Sequence, residues 1–117
     1  ISFAAISEDD NPIHINQEYA SQSIFGQQVV HGILLVSMFS KILGTIYPGV
    51  GTIYLSQTSK FTRPVFIGEA VIAKTTLLSY DSSTQKGTFL TECHKNKDTL
   101  VLSGQAKVLF PERFYLP

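Results

Sequence analysis

The stretch from His31 to Ile46, HGILLVSMFSKILGTI, constrains the fold of this chain more than any other segment. It is apolar almost all round a helix, and Lys41 is its single charge. A helix of that kind cannot rest on a surface with one side in water, so other parts of the chain must wrap it. Tyr47-Pro48-Gly49 then supplies the stop.

The second half of the chain can do the wrapping. Residues 52–62, 69–80, 86–95 and 99–110 are rich in Thr, Val, Ile, Phe and Tyr, the residues that favour strands. In the last of these Leu100, Leu102, Gly104, Ala106, Val108 and Phe110 fall on one face, with Ser103, Gln105 and Lys107 on the other. That period of two predicts a strand with one buried face. Asp81-Ser82-Ser83 and Lys95-Asn96-Lys97-Asp98 read as hairpin turns. The expected class is therefore α+β, an antiparallel sheet curled around one apolar helix.

At 117 residues the chain fits a single domain, 1–117, able to bury a core. A hydrophobic content of 44% against 15% charged residues argues against disorder. Basic and acidic residues balance at 9 each, and no Lys or Arg precedes Lys41. No basic stripe with interleaved aromatics is present, so nucleic acid is not an expected partner. The longest apolar run, residues 32–39, is interrupted by Ser37 and too short to cross a bilayer, so no membrane partner is expected. Cys93 is the only cysteine, which excludes an intrachain disulfide and favours a reducing compartment. A cytoplasmic location is expected, with an organellar matrix as the alternative because the chain starts at Ile1 rather than Met.

Chemistry is concentrated near the start, in SEDDNPIHINQEYA. Asp9 and His14 flank an Asn11-Pro12 turn that can bring their side chains together. A carboxylate and an imidazole so placed can hold one water, one taking its proton while the other orients it. A solvated polar loop is the plainer reading of the same residues. Asp9, Asp10 and His14 could also ligate a metal, but no nearby pair of His or Cys completes a zinc pattern, so no metal is expected. Residues 1–6 read as the end of a helix, and Asn16 can cap another beginning at Gln17, with Glu18 in its first turn and Gly26 closing it.

At the entry to the apolar helix, Gly32 offers a backbone N–H that a carbonyl oxygen could approach closely, although tight packing alone would also call for glycine. His31 beside it reads as a hydrogen-bonding residue or a ligand. Gly32, Val36, Ser40 and Leu43 are spaced to share one helix face, though Ser40 could instead bond back to the preceding turn. Cys93 alternates with Phe89 and Thr91 as a packing residue, and His94 sits near a strand end. No Gly-x-Ser-x-Gly elbow supports a serine nucleophile.

Taken together, SEDDNPIHINQEYA, FGQQVVHGILLVSMFS and GTIYLSQTSKFTRPVFIGEAV resemble the MaoC-like (R)-specific enoyl-CoA hydratases, or hydratase 2. The resemblance covers most of the chain and is clearest over residues 7–71. It implies the hot dog fold, in which an antiparallel sheet wraps one long helix, and a homodimer; the family's opening strand would lie ahead of Ile1. It implies that Asp9 and His14 are the catalytic pair gripping the water added across a 2,3 double bond, with Asn11 shaping their loop. Gly32 matches the glycine whose N–H polarises the thioester carbonyl. Ser40 matches a serine near the catalytic Asp, Leu43 a residue near the acyl tail, and Phe61 a substrate-contacting position. Lys60 and Arg63, close to Phe61, are candidates for CoA phosphates. The implied substrates are enoyl-CoA and (R)-3-hydroxyacyl-CoA thioesters, with CoA part of the substrate and no separate cofactor. Many members carry Gly before the Asp, whereas this chain has Glu8. A dehydratase acting on acyl-carrier-protein substrates, a thioesterase and a non-catalytic acyl-binding subunit are the alternatives.

Overall fold

Leu35, Phe39 and Leu43 recur every four residues and form the buried stripe of helix α4 (Gly32–Thr45). Burying each contributes about 2 kcal/mol. Leu35 and Phe39 pack with Val65, Cys93, Val101 and Leu102, and Leu43 with Phe89, Ala106, Val108 and Phe110. These partners come largely from β3 (Lys86–Lys95) and β4 (Thr99–Leu109), the central strands of an antiparallel sheet. The outer strands are β1 (Ile53–Phe61) beside β4 and β2 (Val71–Asp81) beside β3, giving the order β1-β4-β3-β2. Both outer strands reach α4, so the sheet curls around the helix as its composition demands. The wrapping is one-sided, however: Ile33 and Ile46 remain 63% and 67% exposed. The computed structural model describes residues 1–112.

The curl has a local cause. Register shifts fall between Tyr54 and Ser56, between Leu77 and Ser79, and between Cys93 and His94. The extra residue in each disrupts the ladder and bends its strand. Two of them, Leu55 and Leu78, are about half exposed as a result. The third, Val101, corrects the alternation expected for the last strand: it is fully buried beside Leu102, which the simple period of two does not allow. Gly104 marks where β1 comes closest, since a Cβ there would stand 1.8 Å from the Thr58 carbonyl oxygen.

Three short helices precede α4. The predicted helix end at the start is α1 (Ser2–Ser7). Pro12 opens an extra turn, α2 (Pro12–Ile15), where a plain bend was expected; the Asn11 side chain accepts from the Ile13 N–H and caps it. Asn16 caps α3 (Gln17–Ser21) through the Tyr19 N–H as predicted. That helix stops before Gly26, because the Ser23 hydroxyl turns back to the Ala20 carbonyl and starts a turn.

The connection between β1 and β2 is what ties the sheet to the helix entry. Val30 N–H donates to the Val65 carbonyl at 2.7 Å, and Val29 bridges Phe66. Lys95 locks the connection from β3: Nζ donates to the Pro64 carbonyl at 2.8 Å and to Glu69 Oε1 at 3.0 Å. The same ammonium lies 4.9 Å from the Phe66 ring centroid. The Phe66 N–H and then Lys95 hold the Glu69 carboxyl below its ordinary range.

Replacing Lys95 by Met leaves the Pro64 oxygen without this donor and Glu69 without its cationic partner, though the Phe66 N–H still reaches Glu69, and is expected to lower stability by about 1–3 kcal/mol in urea unfolding. Glu69 gives a second expectation. Its folded pKa is depressed, so its contribution is present above the ordinary carboxyl range and is lost as pH falls through the lower folded value. The stability gap between wild type and Glu69→Gln should therefore shrink as pH falls below the ordinary carboxyl range, as read by denaturation at each pH.

Candidate active site

The entry to α4 is the meeting point. Asp9 lies between α1 and α2, His14 on α2, and His31 immediately before α4. One ligand atom from each falls within 4.8 Å of the others. Asp9 is half exposed, whereas His31 is buried.

Each imidazole is fixed by a main-chain oxygen. His14 Nδ1 lies 2.8 Å from the Val29 carbonyl, so that nitrogen carries the proton and Nε2 is left as an acceptor. Since the 28–30 segment is held by the β1–β2 connection, the clamp at Lys95 reaches His14 through Val29. His31 Nε2 donates to the Asp9 carbonyl at 2.9 Å and lies 4.0 Å from Asp9 Oδ2. The two imidazoles stack at 3.9 Å with planes 24° apart, and Phe3 meets His31 edge-on at 4.8 Å. With one nitrogen of each imidazole bonded to a carbonyl, the other nitrogen of His14 and the half-exposed Asp9 carboxylate can hold a water between them.

Asn11, the third residue of the loop pattern, acts on shape. Its backbone N–H donates to Asp9 Oδ1 at 3.3 Å while its side chain caps α2. The Asp9 and His14 side chains are thus set by one Asx turn and one capped helical turn.

Gly32 opens α4, and the His31 side chain does not cap the helix. A Cβ at Gly32 would stand 2.7 Å from Cε1 of Phe61, so the glycine lets that ring close over the helix start. Both residues line an apolar cleft of about 490 Å³, together with Phe25, Ile33, Leu35 and Arg63. His14 and His31 line a second cleft of about 290 Å³ with Phe3 and Leu34. Val29 and Val30 line both, which makes them a shared wall.

The remaining sequence candidates lie further off. Gly32, Val36, Ser40 and Leu43 fall within about 80° of arc on α4, one face as expected, with Ser40 at its outer edge. Leu43 is fully buried in the core. Ser40 is exposed, some 12 Å along the axis from Gly32. Lys60 is exposed on β1, and Arg63 lies at the cleft. Cys93 is fully buried, which pushes its thiol up to about 11 and leaves it protonated and inert at neutral pH. His31 hydrogen-bonds as its place at the helix start suggested, to a carbonyl 22 residues away that no local pattern names. Lys95, which bonds a carbonyl 31 residues away, escaped sequence reasoning.

Comparison with known proteins places the chain among relatives. Residues 1–97 match the family model of the MaoC like domain. The (R)-specific enoyl-CoA hydratase of Aeromonas caviae is 38% identical over 94% of this chain and 82% of its own. The mitochondrial 3-hydroxyacyl-[acyl-carrier-protein] dehydratase of Arabidopsis thaliana is 34% identical, over 94% of this chain and 67% of its own. Among solved structures, an (R)-hydratase from A. caviae involved in PHA biosynthesis superposes with a TM-score of 0.91 at 38% identity, covering 94% of this chain and 83% of that one. The sheet wrapped on one helix is the hot dog fold of these hydratases.

Glu8 stands where many of the hydratases this sequence resembles carry Gly, and its φ of 62° lies in the left-handed region. That conformation costs a residue with a Cβ about 1–2 kcal/mol. Glycine removes the cost but loses about 0.4–1 kcal/mol to the greater freedom of its unfolded chain. Glu8→Gly is therefore expected to raise stability by up to about 1.6 kcal/mol, measured as a higher urea midpoint at unchanged slope.

Proposed function

The chain belongs to the MaoC-like domain family, and on that premise we propose that it is an (R)-specific enoyl-CoA hydratase. It adds water reversibly across the 2,3 double bond of trans-2-enoyl-CoA to give (R)-3-hydroxyacyl-CoA. The observation that carries the reading is the convergence of Asp9 and His14 beside the helix start at Gly32. Relatives named as enoyl-CoA hydratases support the substrate class.

In this reading the water sits between the Asp9 carboxylate and His14 Nε2. Asp9 takes a proton as the water oxygen bonds to C3, and His14 orients the water through the lone pair that Val29 leaves it. The pair returns a proton to C2 and ends as it began, so OH and H are added and nothing else changes. The Gly32 N–H donates to the thioester oxygen and stabilises the enolate-like charge. A preorganised donor of this kind is worth ~10²–10³ in rate, and acid–base help ~10²–10⁴. Asn11 holds the loop, and the cleft at Phe61 receives the thioester. Ser40, exposed further along α4, and Leu43, buried in the core, carry no step in this reading.

No cofactor is needed, because CoA belongs to the substrate. A homodimer fits the exposure of Ile33, Ile46, Val50 and Ile53, each more than half accessible. Among the described residues no helix is long and apolar enough to cross a membrane. The unpaired Cys93 and the mitochondrial dehydratase relative fit a cytoplasmic or matrix setting. A second reading, the same chemistry run as a dehydratase on acyl-carrier-protein substrates, is favoured by that relative.

The expected outcome is loss of enoyl-thioester ultraviolet absorbance when the protein meets crotonyl-CoA, with an (R) product by chiral analysis. Asp9→Asn should slow this by at least ~10²-fold. Turnover of carrier-bound substrate alone would select the dehydratase reading, and no turnover of either would sink both.

A further inference from the structure

His31 belongs to none of the roles above, yet it touches every part of the water-holding group. Its ring is buried, and Nε2 donates to the Asp9 carbonyl at 2.9 Å. The other hydrogen bonds of that turn are local: Asp9 N–H to Ser7 Oγ, Asp10 N–H to the Glu8 carbonyl, and Asn11 N–H to Asp9 Oδ1. The His31 bond, across 22 residues, is what fastens the turn to the start of α4. The turn needs fastening, because Glu8 holds a left-handed conformation that a residue with a Cβ does not adopt by preference.

The same ring sets the plane of His14. Stacking at 3.9 Å restricts tilting of the His14 imidazole while the Val29 carbonyl fixes its rotation. Phe3 closes the far side of the sandwich, edge-on at 4.8 Å. Finally, His31 directly precedes Gly32, so its backbone and that of the thioester donor are covalently joined. Carboxylate turn, imidazole plane and helix start are therefore referenced to one side chain.

We infer that His31 is a positioning residue, whose Nε2–H to Asp9 bond and ring stack on His14 set the spacing between the water-holding pair and the Gly32 donor. It contacts no reacting atom in this assignment. The inference rests on the hydratase reading, and a displacement of about 1 Å in such a group costs on the order of 10²-fold in rate.

The test compares His31→Gln with His31→Asn on crotonyl-CoA. A glutamine amide nitrogen reaches the place of Nε2 and restores the donor to Asp9, whereas an asparagine amide falls short. Because glutamine keeps the donor but not the ring, expected is a kcat ~10-fold below wild type for the glutamine variant and ~10²-fold below it for the asparagine variant, with KM moved less than ~3-fold in both. Equal kcat in the two variants, whether both near wild type or both low with matching losses of thermal stability, overturns the inference and leaves His31 a packing residue. Wild-type turnover is measured alongside. An inactive wild type overturns the hydratase reading, whereas an active wild type with indistinguishable variants overturns only the role of His31.

Discussion

The buried stripe of α4 against the sheet is the interaction from which everything else in this chain takes its position. Leu35, Phe39 and Leu43 fix the rotation of the helix about its axis. That rotation decides which way Gly32 and its unpaired N–H face. It also places His31, and through it the Asp9 turn, at the helix entry that Phe61 approaches through Gly32. A helix held by three large side chains in two clusters has little freedom to roll, because interiors this well filled resist small adjustments. The β1–β2 connection completes the fixing by pinning the residues just ahead of the helix.

Much of this was legible in the sequence. The apolar run at His31–Ile46 has no solution except burial, and the four β-rich segments after it are the natural wrapping. The Asp9–His14 pair could be found because Asn11-Pro12 forces a bend between them. What could not be read falls into two kinds. One is long-range hydrogen bonding to main-chain oxygens, as at His31 and Lys95, where nothing in the partner's side chain signals the contact. The other is accumulated geometry: the bulge that buries Val101 breaks a simple period by one residue.

Glu8 illustrates how a local departure is tolerated. Its backbone conformation opposes the preference of its own Cβ, and the surrounding contacts hold the turn in place regardless. Strain of this size is tolerable next to a site where the turn is tied down from the far side of the chain, and would be less so in a free loop.

Val29 and Val30 are common lining of the cleft at Phe61 and the cleft at His14. A substitution at either is felt in both clefts at once, whereas one at Phe25 or Ile33 touches only the first. Two adjacent residues thus couple what fits to what reacts, and a lineage built on this scaffold can vary its diet at the outer residues more freely than there.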